Sequence, residues 1–307
     1  MDDHPKASSP SQSSCRANVA RACRRHGCRV VVSLAVLLIP FVAICVLNSS
    51  VHPTTRGFFC NDDSISYPKK PNTVSDPVLL IICIGCPLLI IILFSVSSIM
   101  TLFNCNSHHD ERSGNPVMCG LSRRLDVPLT WNDLLCQCYW FILGFVLVCF
   151  FTETGKVAVG RLRPYFLDAC QPDYSKFNCT NEKGFPLYIL HPGCHGKSGD
   201  IHEARLSWPS GHSSVSVYAG VFVMLYLEAT CIQKFSSPLK VFLQVIPATL
   251  AFLCCLSRIS DNAHHWSDVL SGTILGASVA VTTVFTLLSF VRNKQSSLTT
   301  AERNTLL

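Results

Sequence analysis

The stretch Ser257-Arg-Ile-Ser-Asp-Asn-Ala-His-His-Trp-Ser-Asp268 separates two long apolar runs near the C-terminus. It places an arginine, two adjacent histidines and a carboxylate beside sequence that is otherwise mostly apolar. Polar groups at this density are costly near a lipid bilayer, which indicates a function. If a helix begins at residue 264, His264 and Asp268 lie on one face of it, and the carboxylate can hold one imidazole nitrogen as N–H. A polar turn between two helices would have the same pattern, and this stretch alone does not choose between the two.

The neighbouring apolar runs belong to a set of six that approach or exceed the roughly 17–25 residues needed to cross a bilayer. Charged residues make up only 14% of the 307 residues and apolar residues 49%, whereas soluble domains have roughly 25% charged residues. The runs lack a polar face, which disfavours a soluble helical domain. We therefore predict an all-α bundle of six transmembrane helices without a cleaved signal peptide. The predicted helices are Val30–Val51, Pro77–Phe103, Leu134–Thr152, Ser213–Leu227, Val241–Leu256 and Val269–Val291.

The flanking segments predict the domain organisation and the orientation. Residues 1–29 are polar, Ser-rich and basic, and we predict a disordered cytoplasmic tail there because basic segments favour that side. Residues 30–291 form the membrane domain, and six crossings return residues 292–307 to the cytoplasm as a second tail. The net charge of +6 is not clustered in the body of the chain, so no nucleic-acid partner is expected. The predicted outer loops, on the extracellular or lumenal side, are about 52–76, 153–209 and 257–268.

The predicted outer loops carry two features that suit an extracellular or lumenal environment. Asn178-Cys-Thr180 is an acceptor pattern for N-glycosylation. Four cysteines fall on the same side, where disulfides persist and where four cysteines allow three pairings. We predict at least one bridge within residues 170–194. The four are Cys60, Cys170, Cys179 and Cys194.

Three polar clusters lie at ends of the apolar runs. Lys156–Pro164 follows the third run, Pro209–His212 opens the fourth, and Ser257–Asp268 joins the fifth to the sixth. Counting the crossings between them places all three on one face of the membrane. They can therefore form a single site.

The chemistry of the three clusters is complementary. Lys156, Arg163 and Arg258 are cations suited to a phosphate dianion, and arginine offers forked contacts. The segment Ser210–His212 begins a helix, where free N–H groups favour an anion and Gly211 allows close backbone approach. Taken alone, the first cluster also fits a basic anchor beside the membrane, and the second also fits a helix cap. Taken together, the clusters indicate a phosphate site.

Three motifs of the chain resemble the three-part signature of the type 2 phosphatidic acid phosphatase superfamily: Lys156-x6-Arg163-Pro164, Pro209-Ser-Gly-His212 and Ser257-Arg258-x5-His264-x3-Asp268. Within that superfamily the chain resembles the animal lipid phosphate phosphatases. The closer likeness lies in Gly160-Arg-Leu-Arg-Pro164, in Arg56-Gly-Phe-Phe-Cys-Asn-Asp-Asp63 and in the stretch quoted first. It covers roughly residues 28–292, and no signature position departs from the pattern.

The resemblance implies hydrolysis of a phosphate monoester through a phosphohistidine. His264 would attack the phosphorus, Asp268 would hold its imidazole, and His212 would protonate the departing alkoxide and then activate water. The remaining signature residues would bind the phosphate oxygens: Lys156, Arg163, Ser210, Gly211 and Arg258. Three neighbouring cations oppose a divalent ion, so we expect no metal and no other cofactor, and activity that is independent of Mg²⁺.

A site at the outer interface would meet a lipid headgroup while the lipid tails stay in the bilayer. The resemblance and this position together imply lipid phosphates as substrates: phosphatidate, lysophosphatidate, sphingosine 1-phosphate or ceramide 1-phosphate. The expected location is the plasma membrane or the membranes of the secretory pathway. Analogy with the family suggests homo-oligomers. The C-terminal Glu302-Arg-Asn-Thr-Leu-Leu307 resembles an acidic dileucine signal, which would bind sorting adaptors.

Two other functions stay open. An anion transporter could use the same cations, but it would be expected to place charge near the bilayer midplane rather than at one edge. A non-catalytic lipid-binding scaffold or adhesion protein could share the fold, and the intact signature disfavours it.

Overall fold

The protein is seen here in a computed structural model that describes residues 12–107, 131–231 and 236–305. Within those residues, six helices are long and apolar enough to cross a membrane, and each overlaps one of the predicted runs. The prediction of an all-α bundle with six spans is confirmed. The spans are Val30–Ser50, Asp76–Ser97, Trp131–Val159, Gly211–Thr230, Pro238–Ser260 and Trp266–Val291.

The second span is assembled from two helices, because a π-helical turn at Ile81–Gly85 joins α2 to α3. At one end of the bundle lie three connections that we call the first loop (residues 51–75), the long loop (160–210) and the turn (261–265). This end is called the loop end below. The helices are α1 (Gln12–Ser50), α2 (Asp76–Leu80), α3 (Cys86–Ser107), α4 (Trp131–Val159), α5 (Phe166–Cys170), α6 (Ser198–Glu203), α7 (Gly211–Cys231), α8 (Ser237–Ser260) and α9 (Trp266–Thr305).

The central helix of the bundle is α7, which packs against α4, α8 and α9. In the span of α7, 67% of the residues are buried inside the protein, compared with 6% in the span of α1, which lies at the periphery against α4. Because α7 faces protein rather than lipid, it can bury hydroxyl side chains such as Ser213 and Ser214, and its mean hydropathy of 1.3 is the lowest of the six spans. This explains why the fourth apolar run is short in the sequence.

Helices α7 and α9 approach closely through two glycines. A Cβ added at Gly272 would collide with the carbonyl of Ser210, just before α7, and one added at Gly276 would collide with the carbonyl of Ser214 within α7. The contact brings the first turn of α9 against the start of α7, where the Ser210 N–H donates to the Asp268 carbonyl at 3.1 Å. The second and third polar clusters therefore meet.

The C-terminal end of α4 turns the chain toward the same place. Gly160 has a φ of +57° and donates its N–H to the Lys156 carbonyl, as a glycine that ends a helix does. Thr54 of the first loop satisfies two more carbonyls of that last turn, with its N–H on Val157 and its hydroxyl on Ala158. The residues after Gly160 are thus directed back over the bundle.

The first and long loops pack together as a small layer with its own apolar core. Strand β1 (Phe58–Phe59) pairs antiparallel with β2 (Tyr188–Ile189), and Phe58 and Phe166 are buried between the two loops. Disulfide Cys60–Cys179 joins the two loops, and disulfide Cys170–Cys194 closes the long loop on itself. The predicted bridge within residues 170–194 is confirmed.

The predicted boundaries differ from the structure in three places. Residues 12–29, predicted to be disordered, continue α1, since extending an existing helix avoids the cost of nucleation. Helix α4 extends to Val159, so the beginning of the predicted loop 153–209 is helical. The predicted loop 257–268 shrinks to the turn, because α8 continues to Ser260 and α9 begins at Trp266.

Candidate active site

A cavity of about 320 Å³ opens at the loop end, between α2, α4, α7 and α8. All three polar clusters contribute to its wall. The structure therefore brings together the segments that the count of membrane crossings placed on one face. Two predicted site residues, Ser210 and Asp268, are fully buried behind the wall. The other six line the cavity: Lys156, Arg163, Gly211, His212, Arg258 and His264.

His264 is held in one tautomer by a backbone carbonyl. Its Nδ1 lies 2.8 Å from the carbonyl oxygen of Ser207, and because a carbonyl only accepts, Nδ1 carries the proton and Nε2 keeps its lone pair. Burial, together with the positive charges of Arg163, Arg258 and Lys156, holds the pKa of His264 well below its usual range. The ring is therefore neutral at physiological pH, with Nε2 free to act as a nucleophile.

Asp268 does not hold His264 directly, which differs from the prediction. Its Oδ2 lies 4.0 Å from Nδ1 of His264, beyond hydrogen-bond distance. The reason is that α9 begins at Trp266 rather than at residue 264, so His264 lies in the turn. Asp268 instead accepts the backbone N–H of His265 at 3.0 Å, as an acidic residue in the first turn of a helix does in a capping box.

The carboxylate of Asp268 reaches His264 through an intermediate residue. Its Oδ2 accepts the Ser207 hydroxyl at 2.7 Å, and the carbonyl of the same Ser207 holds His264. Its Oδ1 accepts Nη1 of Arg161 at 2.6 Å. Asp268 and Arg161 therefore position Ser207, and Ser207 positions the imidazole.

Two of the three cations have acidic partners at the cavity wall. Nζ of Lys156 lies 2.7 Å from Oε1 of Glu153, and Nη1 of Arg163 lies 3.1 Å from Oε1 of Glu203. These pairs hold the two cationic groups at the wall of the cavity. A phosphate bound there would share them.

Arg258 is the most deeply buried of the cations, with 1% of its surface exposed. Its Nη1 is 3.7 Å from Oδ2 of Asp261, too far for a hydrogen bond. Neither its Nε nor its Nη1 has a hydrogen-bond partner among the residues described, and the same is true of Nε of Arg163. Buried guanidinium groups with free N–H donors are costly, and here they lie beside a cavity that fits an anion.

The start of α7 adds backbone donors to the cavity. A Cβ on Gly211 would lie 3.3 Å from Nζ of Lys156, so the absence of a side chain lets that cation approach the helix end. Ser210 differs in role from the prediction, because its Oγ accepts the Ser213 hydroxyl at 3.0 Å and lies outside the cavity lining.

His212 lies in the first turn of α7, next to Gly211, and contacts the end of the first loop. Its Nε2 is 2.9 Å from the Val74 carbonyl oxygen and 3.6 Å from Oδ1 of Asp76. The cavity therefore presents two imidazoles, His212 and His264, and three cations to one small space.

Comparison with known proteins identifies the family. Residues 134–292 match the family described as the PAP2 superfamily. The chain belongs to the PAP2 superfamily. Phospholipid phosphatase 1 of Rattus norvegicus is 34% identical over 268 residues, which cover 87% of this chain and 88% of that protein. Phospholipid phosphatase 2 of Homo sapiens is 32% identical over 267 residues, covering 85% and 82%. No solved structure matches the chain.

The resemblance inferred from the sequence is thus confirmed, and this PAP2 protein is a phosphatase. The sequence motifs did not single out Arg161, Ser207, Glu153 or Glu203 as parts of the site. Arg161 and Ser207 lie within two residues of signature positions, so their proximity to the motifs was the available signal. Glu153 lies three residues before Lys156, a spacing that pairs opposite charges on a helix. Glu203 carries no such signal, since its pairing with Arg163 depends on the fold.

Proposed function

We propose that this PAP2 protein is an integral membrane lipid phosphate phosphatase that works through a phosphohistidine and without a metal. The observation that carries the proposal is the position of His264, neutral and held through Nδ1, in one cavity with three cations and a second imidazole. The location of the cavity at the end of a transmembrane bundle supports a substrate whose tails stay in the bilayer.

In the first half-reaction, Nε2 of His264 attacks the phosphorus in line with the lipid oxygen. The bond between phosphorus and that oxygen breaks, and the departing alkoxide takes a proton from His212. The guanidinium groups of Arg163 and Arg258, with Lys156 and the N–H of Gly211, stabilise the negative charge on the phosphate oxygens.

In the second half-reaction, His212 accepts a proton from water, and the oxygen of that water attacks the phosphohistidine. The bond between phosphorus and Nε2 breaks, inorganic phosphate leaves, and His264 returns to its neutral state. The negative charge of Asp268, acting through Ser207, offsets the positive charge that the imidazole carries while it is phosphorylated.

The substrates we propose are phosphatidate, lysophosphatidate, sphingosine 1-phosphate and ceramide 1-phosphate. Four apolar or weakly polar side chains line the cavity beside the cations and suit the first carbons of a lipid: Leu79, Cys149, Leu206 and Val215. The relatives named as phospholipid phosphatases support the same substrate class.

Purified protein in detergent is expected to release inorganic phosphate from a short-chain lysophosphatidate at the same rate with and without EDTA. Metal independence follows from the repulsion that Lys156, Arg163 and Arg258 would exert on a divalent ion. Phosphate release measured with a colorimetric assay checks both points. The proposal of activity would be rejected by a protein that binds the lipid but releases no phosphate. A rate that EDTA abolishes and Mg²⁺ restores would reject the metal-free mechanism alone.

We also propose that the loop end faces the extracellular or lumenal side, with both termini in the cytoplasm. Asn178 is exposed on the long loop, so we expect it to carry a glycan. Treatment with a glycosidase should then shift the wild-type protein on a gel, and the Asn178→Gln variant should show no shift. If the wild-type protein showed no gel shift and its tail were labelled from outside intact cells, the proposed orientation would be wrong.

The remaining proposals concern location and partners. They are residence in the plasma membrane or the secretory pathway, homo-oligomers, and sorting adaptors at the C-terminal tail. Leu306 and Leu307 of the dileucine pattern lie outside the described residues.

A further inference from the structure

The end of the first loop forms part of the cavity wall and reaches the ring of His212. Nε2 of His212 lies 2.9 Å from the Val74 carbonyl oxygen, and because a carbonyl only accepts hydrogen bonds, Nε2 carries a proton. Oδ1 of Asp76 lies 3.6 Å from the same nitrogen, and Asp76 also lines the cavity. One edge of the imidazole therefore meets both a carbonyl dipole and a carboxylate.

The position of this segment is set by hydrogen bonds to the turn that carries the nucleophile. Thr73 donates its backbone N–H and its hydroxyl to the two oxygens of Asp261, at 2.8 and 2.7 Å. Asn262 donates to the Pro68 carbonyl at 3.0 Å. Val74 and Asp76 are therefore held beside His212 by the turn that carries His264.

The charges that face His212 make a carboxylate at this position significant. The other carboxylates of the cavity wall are engaged with cations, Glu153 with Lys156 and Glu203 with Arg163. Asp76, by contrast, forms an ion pair with His212. The other groups that line the cavity with the ring are the cations Lys156 of α4, Arg163 of the long loop and Arg258 of α8, and the neutral His264 of the turn.

We propose that Asp76 is a positioning residue that favours the protonated form of His212, the form that acts as general acid. The inference rests on the proposed function. When the bond between phosphorus and the lipid oxygen breaks, that oxygen keeps the electron pair and takes a proton from the His212 imidazolium, which becomes neutral. Before this step the three cations repel the imidazolium, and the negative charge of Asp76 offsets that repulsion.

The size of the effect is limited by solvent. The side chain of Asp76 is 77% exposed, so its interaction with the ring is screened like that of a surface ion pair. Replacing it with asparagine keeps the shape and removes the charge. We expect kcat/KM for a lipid phosphate to fall about fivefold at neutral pH, and the basic limb of the pH profile to move to lower pH.

The test compares two substrates that differ in their need for an acid. Full-length protein in detergent is assayed with a short-chain lysophosphatidate, whose alkoxide must be protonated, and with an alkyl-substituted nitrophenyl phosphate, whose phenolate leaves without a proton. Asp76→Asn is expected to slow the first and leave the second unchanged. Asp63→Asn, which removes an exposed carboxylate from the first loop, is expected to affect the hydrolysis of neither substrate.

Each outcome separates the two proposals. An equal loss for both substrates would make Asp76 a structural residue, and no loss for either would show that His212 does not depend on it. Both results overturn the role of Asp76 while the phosphatase stands. A wild-type protein that hydrolyses neither substrate would instead overturn the proposed function, and the role of Asp76 with it.

Discussion

Replacement of His264 by alanine is expected to lower kcat by at least ~10⁴-fold while the protein still folds and reaches the membrane. The large effect follows from the loss of the atom that bonds to phosphorus, for which no neighbouring group can substitute. The effect on stability is small because the side chain contributes one hydrogen bond, to the Ser207 carbonyl, worth about 1 kcal/mol. Phosphate release from a short-chain lipid phosphate and thermal unfolding in detergent measure the two quantities.

Two other histidines serve as controls for this variant. His265 is adjacent in the chain and bonds Asp268 through Nδ1 at 3.1 Å, so His265→Ala is expected to cost about tenfold through loss of positioning. His195 is exposed on the long loop, where its ring lies 3.4 Å from Asp173, and His195→Ala is expected to retain full activity.

A trapping experiment identifies the covalent intermediate. Rapid quenching of wild-type protein with a phosphate-labelled substrate is expected to leave label bound as an acid-labile, base-stable phosphoramidate, and His264→Ala is expected to lose it. Turnover at the wild-type rate in that variant, or label that persists on it, would move the nucleophile elsewhere.

Most of the fold could be predicted from the sequence because its strongest signal is local. A run of apolar residues long enough to cross a bilayer is costly to expose to water, so it predicts a transmembrane helix directly. The six runs correspond to six spans. The helix ends were less accurate. Hydropathy does not distinguish a polar helix from a polar tail, so residues 12–29 were assigned to a disordered segment although α1 includes them.

The meeting of the three polar clusters could be predicted from the sequence, whereas the hydrogen bonds within the candidate site could not. The count of membrane crossings placed the three clusters on one face, and the structure brings Lys156, His212 and His264 to one cavity. The role of Asp268 depended on where α9 begins, and a difference of two residues moved its carboxylate from His264 to Ser207.

Contacts between distant segments could not be predicted from patterns along the chain. The hydrogen bond from His212 to Val74 joins residues of α7 and the first loop that are 138 positions apart, and no motif in the sequence links the two segments. Such a contact is set by the packing of the bundle as a whole. It is also the type of contact that suggests a role for Asp76.

Replacement of Arg258 by methionine is expected to lower kcat/KM about 10³-fold and to leave the unfolding temperature unchanged or higher. The activity falls because a buried guanidinium that lines the cavity, with its unpartnered Nε and Nη1 donors, is lost. Stability does not fall because an apolar side chain of similar length replaces a buried guanidinium whose Nε and Nη1 lack partners among the described residues. Asp261 is not left unpaired, since Thr73 still donates to both of its oxygens.

Orthovanadate, a mimic of the phosphoryl transition state, distinguishes an anion-binding role of Arg258 from a structural one. Wild-type protein is expected to unfold at a higher temperature in its presence, because a bound ligand stabilises the folded state, and Arg258→Met is expected to lose that increase. Arg258→Lys keeps the positive charge but loses the forked pair of N–H donors, so its vanadate-induced increase should lie between those of the wild-type protein and Arg258→Met. Arg205→Met removes a guanidinium that bonds the Arg56 carbonyl outside the cavity, and should keep the vanadate effect. If Arg258→Met instead unfolded at a much lower temperature, or retained its kcat/KM, the buried guanidinium would belong to the scaffold rather than to the phosphate site.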